Sequence, residues 1–259
     1  MLKRLVLPQT ERLYQLHSIA ALHFRRELRG KGSNSREARE FVENRGFVVE
    51  DVIPYGLGLA TYDESLDEIY PVQEGEEFSR YRSLMGRLVF SLYDAEGRVI
   101  GFSGRDMTGT KSAKYWNSPT SPIFNKGSKF YGLNWALPSI RQLGFAILVE
   151  GQFDVIRCHL AGFTNTLATL GTAFKAEHAR ILKRYTNTVV VAYDNDPVNE
   201  NGVNPGQKAA RKAVKILKSD DIGIDARHVI LPKEMDPDTL IRTRGKKKFK
   251  LLIDEAIAT

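Results

Sequence analysis

Helical periodicity marks the beginning of the chain. Apolar side chains recur at three- and four-residue intervals across residues 9–28, which predicts an amphipathic helix. Asn34 followed by Glu37 resembles a capping box, so we expect a second helix that Gly46 ends. The positions that carry the first helical pattern are Leu13, Leu16, Ala20 and Phe24.

A strand-like pattern follows the two predicted helices. Residues 52–60 predict a turn and a strand, because no glycine-rich helix start follows their glycine pair. Two runs rich in β-branched and aromatic residues lie within 87–104 and flank the turn-forming segment 94–97, which predicts a β-hairpin. Residues 105–137 have little periodicity, and a stretch of that length is more typical of a functional surface than of a connector.

From residue 144 onward, short apolar runs alternate with amphipathic segments. FAILV, TNTLATL, TNTVVVAY and DARHVIL predict strands, and QFDVIRCHLA, KAEHARILKRY and GQKAARKAVKILKS predict helices. This alternation is typical of a parallel sheet covered by helices. Such sheets place their functional sites at the carboxyl ends of the strands.

The composition is that of an ordinary globular protein, with 42% hydrophobic and 27% charged residues. No apolar run reaches the roughly 20 residues that a membrane span requires. The chain begins with too weakly apolar a segment for a signal peptide. Cys158 is the only cysteine, so the sequence predicts neither an intrachain disulfide nor a zinc ribbon. We therefore expect a cytoplasmic protein with no membrane segment.

The net charge of +7 is distributed unevenly. Residues 63–77 contain seven acids and no base, whereas residues 98–141 contain seven Lys or Arg and one acid. Residues 242–250 add six bases. This segregation favours a polyanionic partner, although solvated charge runs on a cytoplasmic protein give the same pattern.

Six acidic residues follow the predicted strands of the second half of the chain. Because neighbouring parallel strands end at one edge of a sheet, we expect several of these carboxylates to converge. Crowded carboxylates repel one another unless a cation neutralises them, and oxygen ligands suit Mg²⁺ or Mn²⁺. Any single Asp after a strand is more often a turn former or a helix cap, so the prediction depends on the ordered set. That set is Glu150, Asp154, Asp194, Asp196, Asp236 and Asp238.

Cations and aromatic residues are interleaved between residues 105 and 131. Single-stranded nucleic acid is held by cations on its phosphates and by aromatic rings that stack on its bases. Asn117 adds an amide that can bond a base or a phosphate. The pattern also fits aromatic core residues beneath exposed cations. The candidate residues are Arg105, Lys114, Tyr115, Trp116, Phe124, Lys126, Lys129, Phe130 and Tyr131.

The ordered acids resemble the Toprim domain shared by bacterial primases, type IA and II topoisomerases and some nucleases. ILVEGQFDVI with TLGTAF is similar to the primase version of this domain, and MDPDTLIRTRGKKKF is similar to its end. GRLVFSLYDAEGRVIGFSGR and KYWNSPTSPIFNKGSKFYGL resemble the region that precedes Toprim in primases alone. The resemblance covers residues 10–255 and is to bacterial, DnaG-type primases.

This resemblance implies an α/β chain of two domains. A mixed α/β subdomain with a basic template-binding face is expected over residues 1–140. A Toprim catalytic domain with a Rossmann-like parallel sheet is expected over residues 141–259. The implied catalytic residues are Glu150 as general acid or base, with Asp194 and Asp196 as metal ligands. Asp154, Asp236 and Asp238 are implied to line the same metal site, together with those three.

The resemblance also implies what the chain binds. Two or more Mg²⁺ or Mn²⁺ ions, ribonucleoside triphosphates and a single-stranded DNA template are expected for the synthesis of short RNA primers. A replicative helicase is expected as a partner through a region with no counterpart in these residues. The positions implied to face template or nucleotide are Arg105, Lys114, Asn117 and Lys126.

Rival interpretations remain open on the sequence alone. A Toprim nuclease does not need residues 87–137, and a topoisomerase needs a nucleophilic tyrosine in a further domain. A non-catalytic single-strand-binding module of the replisome has no need to concentrate acids near a polyanion. The sequence departs from the primase pattern in the long polar segment 197–205, which predicts a mobile loop and leaves the placement of Asp196 open.

Overall fold

The chain divides into two compact units, Met1–Asn125 and Lys126–Thr259. The domain boundary expected at residue 140 stays a prediction. No helix of the described residues is long and apolar enough to cross a membrane. The residues that the computed structural model describes are 8–61, 78–111, 113–171 and 173–258, and the acidic run at 63–77 lies outside them.

The first unit is a four-stranded antiparallel sheet packed against a long helix. The predicted helix over residues 9–28 and the predicted hairpin are both confirmed. The strands lie in the order β1-β2-β3-β4. Short 3-10 helices occur at Ile53–Tyr55 and Phe78–Leu84. The regular elements are α1 Gln9–Leu28, α2 Ser33–Glu43, α3 Val49–Val52, β1 Leu57–Leu59, β2 Leu88–Tyr93, β3 Val99–Arg105 and β4 Tyr115–Asn117.

The capping box predicted for the second helix is wrong. Helix α2 begins at Ser33 after the cap residue Gly32, and no side chain caps it. The guanidinium of Arg39 donates hydrogen bonds to the carbonyl oxygens of Leu28 at 2.9 Å and of Gly30 at 2.5 Å. These bonds tie α2 to the end of α1. Because α2 begins at Ser33, Asn34 lies inside its first turn.

The second unit is a five-stranded sheet in the order β5-β7-β6-β8-β9. Strand β5 is antiparallel to β7, and the other pairings are parallel. The four strands and three helices predicted from residue 144 onward are all confirmed. A 3-10 helix lies at Lys126–Ser128. The regular elements are β5 Phe130–Tyr131, α4 Leu133–Leu143, β6 Phe145–Val149, α5 Gln152–Leu160, β7 Thr166–Thr169, α6 Ala176–Lys183, β8 Thr188–Val191, α7 Pro205–Leu217, β9 Asp225–His228, α8 Pro237–Arg244 and α9 Lys246–Ala258.

The strand order of the second sheet reverses at its centre. From β6 the chain passes through α5 to β7 on one side, and it then returns to β8 on the other side of β6. The facing residues Leu148 and Val191 pair in parallel, and both are fully buried. In sheets of this kind, ligands bind in the crevice outside the strand ends where the order reverses. The carboxyl ends of β6 and β8 are therefore the first place to look for a site.

Gly58 allows α1 to lie directly on the sheet of the first unit. A Cβ atom at this position would lie 2.7 Å from the backbone carbon and from the Cβ of Phe24. Backbone atoms of a buried helix cannot shift as a flexible side chain can. The small residue therefore sets the distance between helix and sheet.

Replacement of Gly58 by Ala is expected to lower the free energy of unfolding by about 1–3 kcal/mol, because it overpacks the helix–sheet contact. Urea denaturation measures this change. The matched control is Gly32→Ala, whose added Cβ would meet only the Ser35 hydroxyl oxygen at 3.9 Å. Equal stability of the two variants would show that α1 does not press on the sheet.

Candidate active site

Glu150 and Asp194 meet across the crevice between β6 and β8. The backbone N–H of Asp194 donates a hydrogen bond to Glu150 Oε1, with a nitrogen–oxygen distance of 3.1 Å. Gly206, in the first turn of α7, lies against both residues. A Cβ atom at Gly206 would lie 2.2 Å from the carbonyl oxygen of Asp194 and 2.9 Å from Glu150 Oε1. A glycine is therefore required for α7 to approach the strand ends so closely.

Asp196 lies at the amino end of helix α7. Its Oδ2 atom accepts a hydrogen bond from the backbone N–H of Gly206 at 3.1 Å. Asn204 caps the same helix by accepting from the backbone N–H of Gln207 at 2.9 Å. Negative charge is stabilised at a helix amino end by the helix dipole. Asp196 is therefore held at the first turn of α7, the turn that also lies against Glu150 and Asp194.

Asp154 and Asp238 form a buried polar cluster beside the crevice. The carboxylate of Asp154 accepts hydrogen bonds from the backbone N–H groups of Gly151 and Asp238, each at 3.1 Å. Asp238 Oδ1 in turn accepts a hydrogen bond from the Nε–H of Arg157 at 2.6 Å. The side chains of Arg157 and Asp238 are only 14% and 8% exposed. This ion pair neutralises one negative charge of the set and joins α5 to α8.

Sequence reasoning missed Arg157. The spacing from Asp154 could have identified it, because residues three apart on a helix lie on the same face. A buried carboxylate is costly unless a cation pairs with it, so a cluster of acids favours a buried arginine nearby.

Asp236 has a structural function as well as a place in the acidic set. Its Oδ1 atom accepts from the backbone N–H of Thr239 at 2.6 Å and so caps α8. A cap of this kind contributes roughly 1 kcal/mol to stability. The capping bond uses only Oδ1 and does not involve the second carboxylate oxygen of Asp236.

Burial and mutual repulsion shift the pKa values of these acids upward. Burial raises the pKa of Glu150 to about 7, and the charge of Asp196 adds to the rise. Burial likewise raises the pKa of Asp194 to about 9, and the charges of Asp154 and Glu150 add to it. Burial and the charge of Asp236 hold the pKa of Asp154 well above its ordinary value. The crevice thus holds more carboxyl groups than its own cations neutralise, and this favours their protonated form.

The donor set fits a hard divalent cation. All the candidate ligands are carboxylate oxygens, which Mg²⁺ and Mn²⁺ prefer. Within the described residues, Asp194 Oδ1 is a buried atom with no hydrogen-bond partner. A cation there would satisfy that oxygen and offset the repulsion that raises the pKa of Asp194. As the side chains stand, the described part of the chain holds no group of three or more acids, histidines or cysteines arranged around a metal position.

The basic and aromatic candidates of the first unit lie at the sheet edge formed by β3 and β4. The guanidinium of Arg105 lies over the ring of Tyr115 at 4.9 Å from its centre and near the ring of Phe41 at 6.0 Å. Lys114 is exposed, and Tyr115 and Asn117 are half-buried on the edge strand β4. These positions bring a cation, a ring and an amide together on one short edge strand and its neighbour.

The remaining candidates belong to the second unit or to the core. Lys126 is exposed on its 3-10 helix, and Lys129 is half-buried. Phe124, Phe130 and Tyr131 are at most 2% exposed, so the core interpretation is correct for these three aromatic residues. Trp116 packs against the hydrophobic core of the first unit, which also includes Phe24 and Phe102.

A parallel sheet that carries Glu-Gly-x-x-Asp after one strand, Asp-x-Asp after its neighbour and Asp-Pro-Asp beyond the last strand defines a Toprim-like domain. Residues 147–241 match the Toprim-like family, and residues 23–137 match the family described as the DNA primase catalytic core, N-terminal domain. The two matches follow one another in this order along a single chain.

Known primases resemble the chain in both sequence and structure. The DNA primase of Aquifex aeolicus is 36% identical over 235 residues, which are 86% of this chain and 45% of that protein. The crystal structure of its zinc-binding and RNA polymerase domains superimposes with a TM-score of 0.84 at 31% identity, over 99% of this chain and 64% of that one. A DnaG primase catalytic domain bound to single-stranded DNA gives a TM-score of 0.76 at 30% identity, over 96% of this chain and 80% of that one.

The chain belongs to the bacterial DnaG-type primase family. It spans less than half the length of the Aquifex aeolicus primase.

Replacement of Asp194 by Asn is expected to raise the free energy of unfolding at pH 7 without divalent cations, by about 1–2 kcal/mol. A carboxyl whose pKa rises from 3.8 to about 9 on folding binds a proton more tightly in the folded state. The wild type therefore loses stability as the pH rises through this range, and the variant does not. Urea denaturation in EDTA at several pH values measures the difference.

The control for this prediction is Asp254→Asn, which changes an exposed acid paired with Lys250 on α9. Its effect on unfolding is expected to stay within about 0.5 kcal/mol. An Asp194→Asn variant less stable than the wild type at pH 8 would show that the charge of Asp194 is already compensated.

Proposed function

We propose that the chain is the catalytic core of a DNA primase, a DNA-directed RNA polymerase that makes short RNA primers on single-stranded DNA in the bacterial cytoplasm. The crevice between β6 and β8 carries this proposal, because Glu150 and Asp194 are joined across it and are surrounded by further acids. The family match over residues 23–137 favours this function over a Toprim nuclease, which needs only the second domain.

Asp194 and Asp196 are the residues that we assign to the metal, with Glu150 beside them. Asp194 offers a buried oxygen that lacks a partner in the described structure, and Asp196 lies at the helix amino end next to it. We assign Asp154, Asp236 and Asp238 to the lining of the same metal site. When bound, two or more Mg²⁺ or Mn²⁺ ions would supply charge neutralisation for nucleotidyl transfer and for the departing pyrophosphate.

Glu150 is the residue that we assign as general acid or base. A group that moves protons works best when its pKa lies near the working pH. Burial raises the pKa of Glu150 to about 7. The hydrogen bond from the Asp194 N–H fixes one carboxylate oxygen, Oε1, and so orients the carboxyl group at the strand end.

Binding of template and nucleotide is assigned to the cations and to Asn117. Arg105 and Tyr115 stack, and stacked guanidinium and aromatic groups offer a flat face to a base while charge remains for a phosphate. Lys114 and Lys126 are exposed and suited to contact phosphates. The further residue assigned to this function is Lys129. Ribonucleoside triphosphates are the proposed substrates, and a replicative helicase is the proposed partner, through a part of the relatives' length that this chain does not span.

Glu150→Gln and Asp194→Asn are each expected to reduce primer synthesis at least about 100-fold, a loss typical of removing an essential catalytic group. The assay follows incorporation of labelled ribonucleotides on a single-stranded template with Mg²⁺ or Mn²⁺. Asp254→Asn serves as the exposed control. Full synthesis by either site variant would remove that residue from the mechanism, and metal-dependent cleavage of the template without incorporation would favour the nuclease.

Lys114→Ala and Lys126→Ala are each expected to weaken binding of single-stranded DNA and to flatten its salt dependence. Each lost phosphate contact lowers the slope of log affinity against log salt by about 0.7. Fluorescence anisotropy with a labelled oligonucleotide measures the slope. Lys31→Ala, an exposed lysine between α1 and α2, is the matched control. A slope equal to that of the control would place these lysines outside the interface.

A further inference from the structure

Asn195 stands between the acids Asp194 and Asp196, and its backbone is paired with another segment of the second unit. Its N–H donates a hydrogen bond to the carbonyl oxygen of Met235 at 2.9 Å, and its carbonyl oxygen accepts from the N–H of Glu234 at 2.8 Å. Met235 and Glu234 lie in the connection between β9 and α8. The backbone between the two acids is therefore held from both of its polar groups.

The side-chain amide of Asn195 adds two further bonds. Nδ2 donates to the carbonyl oxygen of Leu231 at 2.6 Å, and Oδ1 accepts from Nδ2 of Asn204 at 2.8 Å. Leu231 belongs to the connection between β9 and α8, and Asn204 is the cap residue of α7. One half-buried side chain thus joins the segment after β8 to two other elements that border the crevice.

The bonding partners of Asn195 explain why an amide, and not a third acid, stands at this position. An amide carries a donor and an acceptor on one branched group, and both are used here. A carboxylate of the same shape would place an oxygen against the carbonyl oxygen of Leu231 with no hydrogen between them. It would also add charge to the acids on either side. The amide therefore supports its neighbours without adding to their repulsion.

Asn204 closes the long polar segment that follows Asp196. Its Nδ2 also donates to the carbonyl oxygen of Asp196, and its Oδ1 accepts from the N–H of Gln207 at 2.9 Å. The two ends of residues 197–203 are thus held together by the amides of Asn195 and Asn204. The position of Asp196 therefore does not depend on the conformation of the residues between them.

The turn on the other side of Asn195 has a strained backbone. Glu234 has a φ angle of 61°, in the left-handed region that residues other than glycine adopt at a cost. The N–H of Met235 closes this turn by donating to the carbonyl oxygen of Pro232 at 3.2 Å. Strained residues persist where the surrounding structure fixes them, and they cluster at functional sites. The bond from the Glu234 N–H to Asn195 is one contact that fixes this turn.

We infer that Asn195 is a positioning residue, which fixes Asp194 and Asp196 in the arrangement that binds a divalent cation. It acts through its neighbours and not as a ligand, because Leu231 and Asn204 engage both polar atoms of its amide. Removal of a residue that orients metal ligands typically weakens metal binding about 10- to 100-fold. The inference rests on the proposed function, to which the assignment of the metal belongs.

Calorimetric titration of Mn²⁺ into the whole chain tests the inference. The dissociation constant is expected to rise at least about tenfold in Asn195→Ala. It is also expected to rise in Asn204→Ser, because serine still caps α7 but lacks the amide donor. The matched control is Asn165→Ala, which removes an amide bond to the carbonyl oxygen of Phe145 at the opposite end of β6. This control is expected to bind Mn²⁺ as the wild type does.

The double variant tests whether the two asparagines act through their shared hydrogen bond. If they do, the combined loss of affinity is smaller than the product of the two single losses. Losses that multiply in full would overturn the link between the asparagines. Equal Mn²⁺ affinity of wild type and Asn195→Ala would overturn the whole inference. An equal loss in Asn165→Ala would also overturn it, because a general loss of stability would then explain the effect.

Primer synthesis provides a second readout for Asn195→Ala. The Mn²⁺ concentration that gives half-maximal synthesis is expected to rise about as much as the dissociation constant, whereas the rate at saturating Mn²⁺ changes much less. A lower saturated rate with an unchanged half-maximal concentration would overturn the positioning function. Failure of the wild type to bind Mn²⁺ would contradict the metal assignment and this inference together. Mn²⁺ binding without primer synthesis by the wild type would contradict only the proposed function and leave the calorimetric result standing.

Discussion

The close approach of helix α7 to the ends of β6 and β8 determines how Glu150, Asp194 and Asp196 lie relative to one another. Gly206 permits this approach, because any Cβ atom there would overlap the carbonyl oxygen of Asp194. The same turn of helix donates its backbone N–H to Asp196, and the Asp194 N–H holds Glu150. The carboxyl groups of Glu150 and Asp196 are thus held by backbone N–H groups, which do not depend on side-chain flexibility.

This geometry concentrates carboxyl groups in a partly buried crevice. Burial disfavours the charged form of a carboxyl, and neighbouring carboxylates disfavour it further. The fold offsets part of the cost internally, since Arg157 pairs with Asp238 and Asp154 accepts two backbone hydrogen bonds. The raised pKa of Asp194 shows the part that remains uncompensated. A cation bound there would offset this remaining repulsion.

The sequence allowed the second sheet and the edge on which the acids lie to be predicted. Apolar runs of four or five residues are clear when helices separate them, and the acid directly after FAILV or TVVVAY then has to lie at a strand end. Contacts between residues that are far apart in the sequence could not be predicted in this way. The Arg157–Asp238 ion pair joins residues 81 positions apart, and Arg39 of α2 bonds the carbonyl oxygen of Leu28 at the end of the preceding helix. Burial of Phe124 and Phe130 likewise depends on packing that residue spacing does not specify.

The central claim is that the acids of the crevice form a cation site whose repulsion is relieved on binding. Calorimetric titration of Mn²⁺ at pH 7, in two buffers with different ionisation enthalpies, tests this claim most directly, because metal binding to a protonated carboxyl releases its proton. The account predicts saturable binding with net proton release in the wild type, and both are expected to be lost in Asp194→Asn. Binding without proton release, or equal binding by Asp194→Asn, would contradict it.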